Sequence, residues 1–168
     1  MTFEYHWTNR EANFGPPMPN QIPGGAHISL EIILRYNNNF VALRRPNAIP
    51  GHELPLKAKD YPNGLLYFCH DLVRYGEPVG DSIRRIVREQ AGVDVKTYKV
   101  VEIWSEVQAK DKQWAFTPAV IVEIENDPEL KSGDNAITAI VKFNLSNIPN
   151  DFGWWGQNEL KEFLSKHE

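Results

Sequence analysis

One stretch limits the architecture more than any other. It is a single strongly amphipathic run, residues 78–91, PVGDSIRRIVREQA, set between segments that alternate like strands. Val79, Ile83, Ile86 and Val87 recur at helical spacing and predict one apolar stripe. Gly92 follows as a C-terminal stop, while Gly80 weakens the first turn. Before this run, Ile28, Leu30, Ile32 and Leu34 alternate with polar neighbours, which is strand periodicity. Asn37, Asn38 and Asn39 tolerate a turn, and residues 40–44 form a second strand, stopped by Pro46. The two read as a hairpin. Residues 65–73, 99–107, 114–125 and 136–145 are further strand candidates; in the last, Ile137, Ala139, Val141, Phe143 and Leu145 share a face. A terminal helix carries Leu160, Phe163 and Leu164 as its stripe. Several strands with one central and one terminal helix predict a mixed α+β domain.

Composition narrows the functional classes. At 168 residues the chain suits one domain with a sizeable core. The one cysteine, Cys69, excludes an internal disulfide framework and suits a reducing compartment, so a cytoplasmic location is expected. No apolar run is long enough to span a bilayer, and the first residues do not read as a signal peptide. With 18 basic against 22 acidic side chains the net charge is −4, which argues against general nucleic-acid binding. An anionic ligand must then be held by local arginines. Residues 1–25 combine Pro16, Pro17, Pro19 and Pro23 with Phe3, Tyr5, Trp7 and Phe14. They read as an arm that packs on the domain, residues 26–168, or on a second copy, which allows a homodimer. Residues 47–63 form a long polar connection of the kind that often carries function.

Residues 69–93, CHDLVRYGEPVGDSIRRIVREQAGV, contain a chemical motif. They resemble the box of the Nudix hydrolase superfamily, G-x5-E-x7-R-E-U-x-E-E-x-G-U, where U is a bulky aliphatic residue. With Gly92 as the final glycine, Val93 is the last U, Arg85 the arginine, Val87 the middle U, Glu77 the early glutamate and Glu89 the second helix glutamate. Gly76 and Glu77 also match the dipeptide common before the helix. Three positions depart: Asp71 replaces the opening glycine, Ile86 the first helix glutamate and Gln90 the third. The resemblance extends over roughly residues 27–164 by the order of elements. It implies an α/β/α sandwich around a mixed sheet, and hydrolysis of a diphosphate linked to another moiety with Mg²⁺ or Mn²⁺.

The departures bear on that chemistry. Positions 86, 89 and 90 share one side of a helix, where carboxylates would hold hard cations. Isoleucine offers no ligand and glutamine one neutral oxygen. Glu89, Arg85 and Glu77 are the residual catalytic candidates that the resemblance implies. A rebuilt metal site would draw on Glu89, Asp71 and His70. Without such a site no cofactor is expected; Mg²⁺ or Mn²⁺ enters if the protein is active. Arg85 and Glu89, spaced i, i+4, are equally read as a simple ion pair, and Ile86 as core. For a small phosphorylated ligand, Arg44, Arg45 and Arg74 are the candidates, since a guanidinium donates two hydrogen bonds to a phosphate; solvated or paired arginines are the competing reading. Trp114, Phe116, Trp154 and Trp155 could stack on a base, although aromatic stripes are more often core. Three functions remain open: a Nudix-like protein that binds a nucleoside-diphosphate-like ligand with weak or no hydrolysis, an active diphosphate hydrolase with a non-standard metal site, and a structural or protein-interaction domain.

Overall fold

The chain enters its first strand at Ala26, and β1 (Ala26–Tyr36) turns back through Asn37 and Asn38 into β2 (Asn39–Arg45). Both asparagines have positive φ, 47° and 62°, and Tyr36 faces Asn39 across the turn. That is the left-handed pair a two-residue hairpin needs, and asparagine bears it better than most side chains. The computed structural model describes residues 25–47, 54–109, 112–130 and 136–168. The expected N-terminal arm, apart from Gly25, and residues 48–53 of the long connection lie outside them. After a 3-10 turn, Leu56–Asp60, come β3 (Leu65–Tyr67), β4 (Cys69–Leu72), α1 (Val79–Ala91), β5 (Val95–Val107), β6 (Trp114–Ile124), β7 (Ala139–Phe143) and α2 (Gln157–Lys166).

The strands form one mixed sheet in the order β3-β2-β1-β6-β5, with β4 also on β1 and β7 also on β2. The β1–β6 pair is parallel and the other named pairs are antiparallel. Alternation along β1 sends Leu30, Ile32 and Leu34 to one face and Ile33 to the other. The first face packs against Ile83, Ile86, Val87 and Ala91 of α1. The second packs against Leu160, Phe163 and Leu164 of α2, with Phe40, Phe68, Phe143 and Phe152 filling the space between. The result is a helix–sheet–helix sandwich, as expected.

Three details differ from the sequence-based expectation. Residues 65–73 are not one strand: Phe68 interrupts them, buries its ring beside Phe143 and Phe152, and divides β3, which pairs with β2, from β4, which pairs with β1. Val79 is not on the buried stripe but 47% exposed, at the residue where α1 begins. Ile137 lies before β7, not in it, and joins the α1-side core, whereas Phe143 joins the α2-side core. Gly92 ends α1 with a left-handed φ of 71°, as its position predicts. Gly80 is explained by packing: a Cβ there would come 2.7 Å from the Tyr98 hydroxyl.

Candidate functional site: a closed box corner beside an open cleft

The box residues meet where β4 runs past the polar side of α1. Arg85, on α1, is the hub, with its side chain only 11% exposed. Its Nε and Nη2 donate to the two carboxylate oxygens of Glu77, each at 2.9 Å, which is the bidentate fork geometry. Nη1 donates to Asp71 Oδ2 at 3.0 Å and to Glu89 Oε2 at 3.3 Å. Nη2 also donates to the Leu72 carbonyl at 2.9 Å. Glu77 further accepts from the buried Ser82 hydroxyl at 2.7 Å and from the Arg74 backbone N–H at 3.4 Å. These donors, Arg85 first and Ser82 next, hold the Glu77 carboxyl down to about 2. The Glu77 hydrogen bond in turn raises the Arg85 pKa. Asp71, Glu77 and Glu89 therefore surround a guanidinium.

The two replaced helix positions have definite structural uses. Ile86 is fully buried and belongs to the α1-side core. Gln90 acts as a clip on β4: its Oε1 accepts from the His70 N–H at 3.1 Å while its Nε2 donates to the His70 carbonyl at 2.8 Å. The amide thus pairs with the strand backbone as another strand would. Its Oε1 also accepts from Arg45 Nη2 at 2.7 Å.

The structure brings Asp71, Glu77, Arg85 and Glu89 together but sends His70 elsewhere. Neighbouring strand residues point to opposite faces. Asp71 turns toward α1, whereas His70 turns to the α2 side, where its Nδ1 lies 2.9 Å from Glu31 Oε2. The His27 ring is stacked on it at 6.4 Å, and burial, with His70 alongside, lowers the His27 pKa. Among the described residues, no three His, Cys, Asp or Glu side chains are grouped so as to hold a metal ion. The donor set does not fit a divalent ion: a guanidinium lies among the carboxylates, and His70 faces away. Cys69, next in the strand, is buried, and burial pushes its thiol up to about 12, far from a thiolate nucleophile.

The three arginines singled out for phosphate do not converge. Arg44 donates to Asp151 Oδ2 at 2.6 Å and to the Gly64 carbonyl at 2.7 Å. Arg45, its neighbour in β2, turns the other way to Gln90. Arg74 reaches Glu89 Oε1 at 3.3 Å from a loop. Of the three, Arg45 alone lines a cleft of about 1160 Å³ that opens beyond the box, with Glu31, His70, Trp104, Trp154 and Glu159 among its walls. Arg45 Nε is buried without a hydrogen-bond partner among the described residues. Trp154 is 62% exposed, while Trp104 and Trp155 pack edge-on at 5.6 Å against the α2 core. Trp114 and Phe116 meet edge-on at 5.6 Å on β6, outside this cleft's lining. Sequence reasoning missed Glu31, Ser82 and the clip role of Gln90. The first two have no motif; an amide four positions after a core isoleucine and directly following Glu89 is a signal only once β4 is known to lie beside it.

No protein-family model matches the sequence, and no curated protein is similar enough to match it. Solved structures do match. A MutT Nudix hydrolase from Burkholderia pseudomallei is 13% identical with a TM-score of 0.61, covering 81% of this chain and 96% of that one. A Nudix hydrolase from Nitrosomonas europaea is 10% identical with a TM-score of 0.60, covering 84% and 88%. An ADP-ribose pyrophosphatase from Streptococcus suis is 15% identical with a TM-score of 0.58, covering 84% and 92%. The chain has the Nudix fold, and the fold expected from the box resemblance is the one found.

Proposed function

We propose that this protein binds a small phosphorylated, nucleotide-like ligand in the cleft beside the box and hydrolyses it weakly or not at all. One observation carries the reading: Arg85 holds Asp71, Glu77 and Glu89 together, while position 86 is buried core. Diphosphate cleavage of the kind the resemblance implies needs carboxylates free to hold Mg²⁺ or Mn²⁺. Two fold neighbours are described as an ADP compounds hydrolase and an ADP-ribose pyrophosphatase, which makes a nucleoside diphosphate with a second substituent the first ligand to try. Arg45, with its buried free Nε, is the cation we assign to a phosphate, and Trp154 the ring we assign to a base. Arg44 and Arg74 act through Asp151 and Glu89 instead.

A second reading, hydrolysis at a non-standard site, is favoured by the His70–Glu31 pair on the cleft wall, where a carboxylate orients an imidazole as a proton acceptor. The test is a thermal-shift screen of ADP-ribose, nucleoside diphosphates and sugar nucleotides, followed by chromatographic assays for the nucleoside monophosphate that diphosphate cleavage releases, with and without Mn²⁺. Stabilisation without turnover is the expected result. Turnover lost in Glu89→Gln or His70→Ala would favour the hydrolase. If no phosphorylated compound raises Tm, a structural or interaction domain is the better description.

A further inference from the structure

The longest strand of the sheet is also its open edge. β5 has 13 residues and pairs only with β6, so its outer backbone faces no other strand among the described residues. A long exposed edge is a template for another strand unless charge, proline or distortion blunts it. β5 has no proline. Its charge is sorted along its length: Lys96 and Lys99 lie in the first half, Glu102 and Glu106 in the second. Lys96, Lys99 and Glu106 make no ion pair with any described residue.

The register with β6 fixes which side chains share a face. A bulge between Val100 and Glu102 shifts the alternation. Val100 lies opposite Val120, and Ile103 opposite Pro118, so both are on the α1 side of the sheet. Lys99, Glu102, Trp104 and Glu106 lie opposite Ile121, Ala119, Thr117 and Ala115, which puts them on the α2 side. On the α1 side the apolar residues are exposed: Val100 by 42%, Ile103 by 56% and Val107 by 63%.

We propose that the β5 edge is a homodimer interface, pairing with β5 of a second copy in antiparallel register about a two-fold axis perpendicular to the sheet. Such an axis makes the interface isologous and the strands antiparallel. Antiparallel self-pairing sets the lysine half of one strand against the glutamate half of the other. With Val100 opposite Ile103 of the second copy, two aliphatic side chains meet on the α1 side. On the other side Lys99 falls opposite Trp104 of the second copy, between its Glu102 and Glu106 at the diagonal positions, within reach of a long side chain. Each contact occurs twice. The sorted charge thus favours this strand's own sequence as its partner, in one orientation. Ile103, Trp104, Ser105 and Glu106 also border the cleft, so the second copy would stand along its rim.

The test is sedimentation velocity of the full chain across a concentration series, for wild type, Lys99→Glu and Glu106→Lys, with thermal melts to confirm folding. Both substitutions are at exposed positions. The wild type should sediment as a dimer. Each variant alone places like charges across the axis and should weaken the dimer roughly tenfold or more. An equimolar mixture of the two should restore dimerisation, because each variant then meets its complement. A monomeric wild type at ~100 µM, well above the Kd of a stable complex, would overturn the proposal. So would a dimer that neither variant weakens, or a mixture no tighter than the variants alone.

Discussion

The box corner and the cleft share β4 yet handle charge in opposite ways. At the corner every carboxylate is satisfied internally: Glu77 has two hydrogen bonds from Arg85 and one from Ser82, and Asp71 and Glu89 lean on the same guanidinium. In the cleft, Arg45 keeps a buried donor with no partner among the described residues, and Trp154 presents a ring to solvent. A satisfied network contributes rigidity, whereas unmet groups in a concave site await a ligand. The comparison teaches that the residues resembling a catalytic signature are tied to one another through Arg85, whereas the cleft holds a buried arginine nitrogen with no partner among the described residues.

Four substitutions or conditions test that division, from the largest expected effect to the smallest. Ile86→Glu, which restores the first carboxylate of the box pattern, should destabilise the protein by about 3–5 kcal/mol in urea denaturation, because it buries a charge with no partner in the α1-side core. If it costs less than about 1 kcal/mol, the corner is plastic and the comparison fails. Arg85→Leu should cost about 3 kcal/mol by removing the bidentate partner of Glu77 and the guanidinium that donates to Asp71 and the Leu72 carbonyl.

Acid probes both regions at once. Glu77 is held to about 2 by Arg85, and Glu102, on the cleft side, to about 2 chiefly by Lys166, with His167 and the Trp104 N–H assisting. Both lie below the ordinary 4.5, so their stabilisation is complete above that value and is lost as pH falls toward 2. Melting temperature should decline through this window. Glu77→Gln and Glu102→Gln should each flatten the decline, and a slope unchanged in both would contradict the assigned pairs. The smallest stability effect belongs to Trp154→Ala, within ~0.5 kcal/mol for an exposed side chain. Titration calorimetry should nevertheless show it weakening nucleotide-like ligands by about 1–3 kcal/mol if the ring stacks on a base.

What the sequence revealed depended on distance along the chain. The hairpin through Asn37 and Asn38, the stop at Gly92 and the stripe Leu160, Phe163, Leu164 are local signals, and each matches the structure. The division of residues 65–73 was not legible, because it is set by which distant strand each half meets, β2 or β1. Arg44 and Arg45 looked like a cluster by adjacency, yet alternation in β2 parts them to Asp151 and Gln90. The box alignment marked Ile86 and Gln90 as departures. It could not show that Gln90 had acquired work of its own, since that depends on the His70 backbone lying within reach of α1.

The glutamine clip also bears on what the helix can hold. A carboxylate at position 90 could accept from the His70 N–H but would set a negative charge against the His70 carbonyl, where the amide now donates. It would also turn the existing Arg45 hydrogen bond into a salt bridge. A glutamate at position 90, as in the box pattern, would therefore undo a seam between helix and sheet before it added a ligand for a cation. Together with the packed isoleucine one turn earlier, that makes a three-carboxylate helix costly to build on this chain, because two of the three positions already hold helix and sheet together.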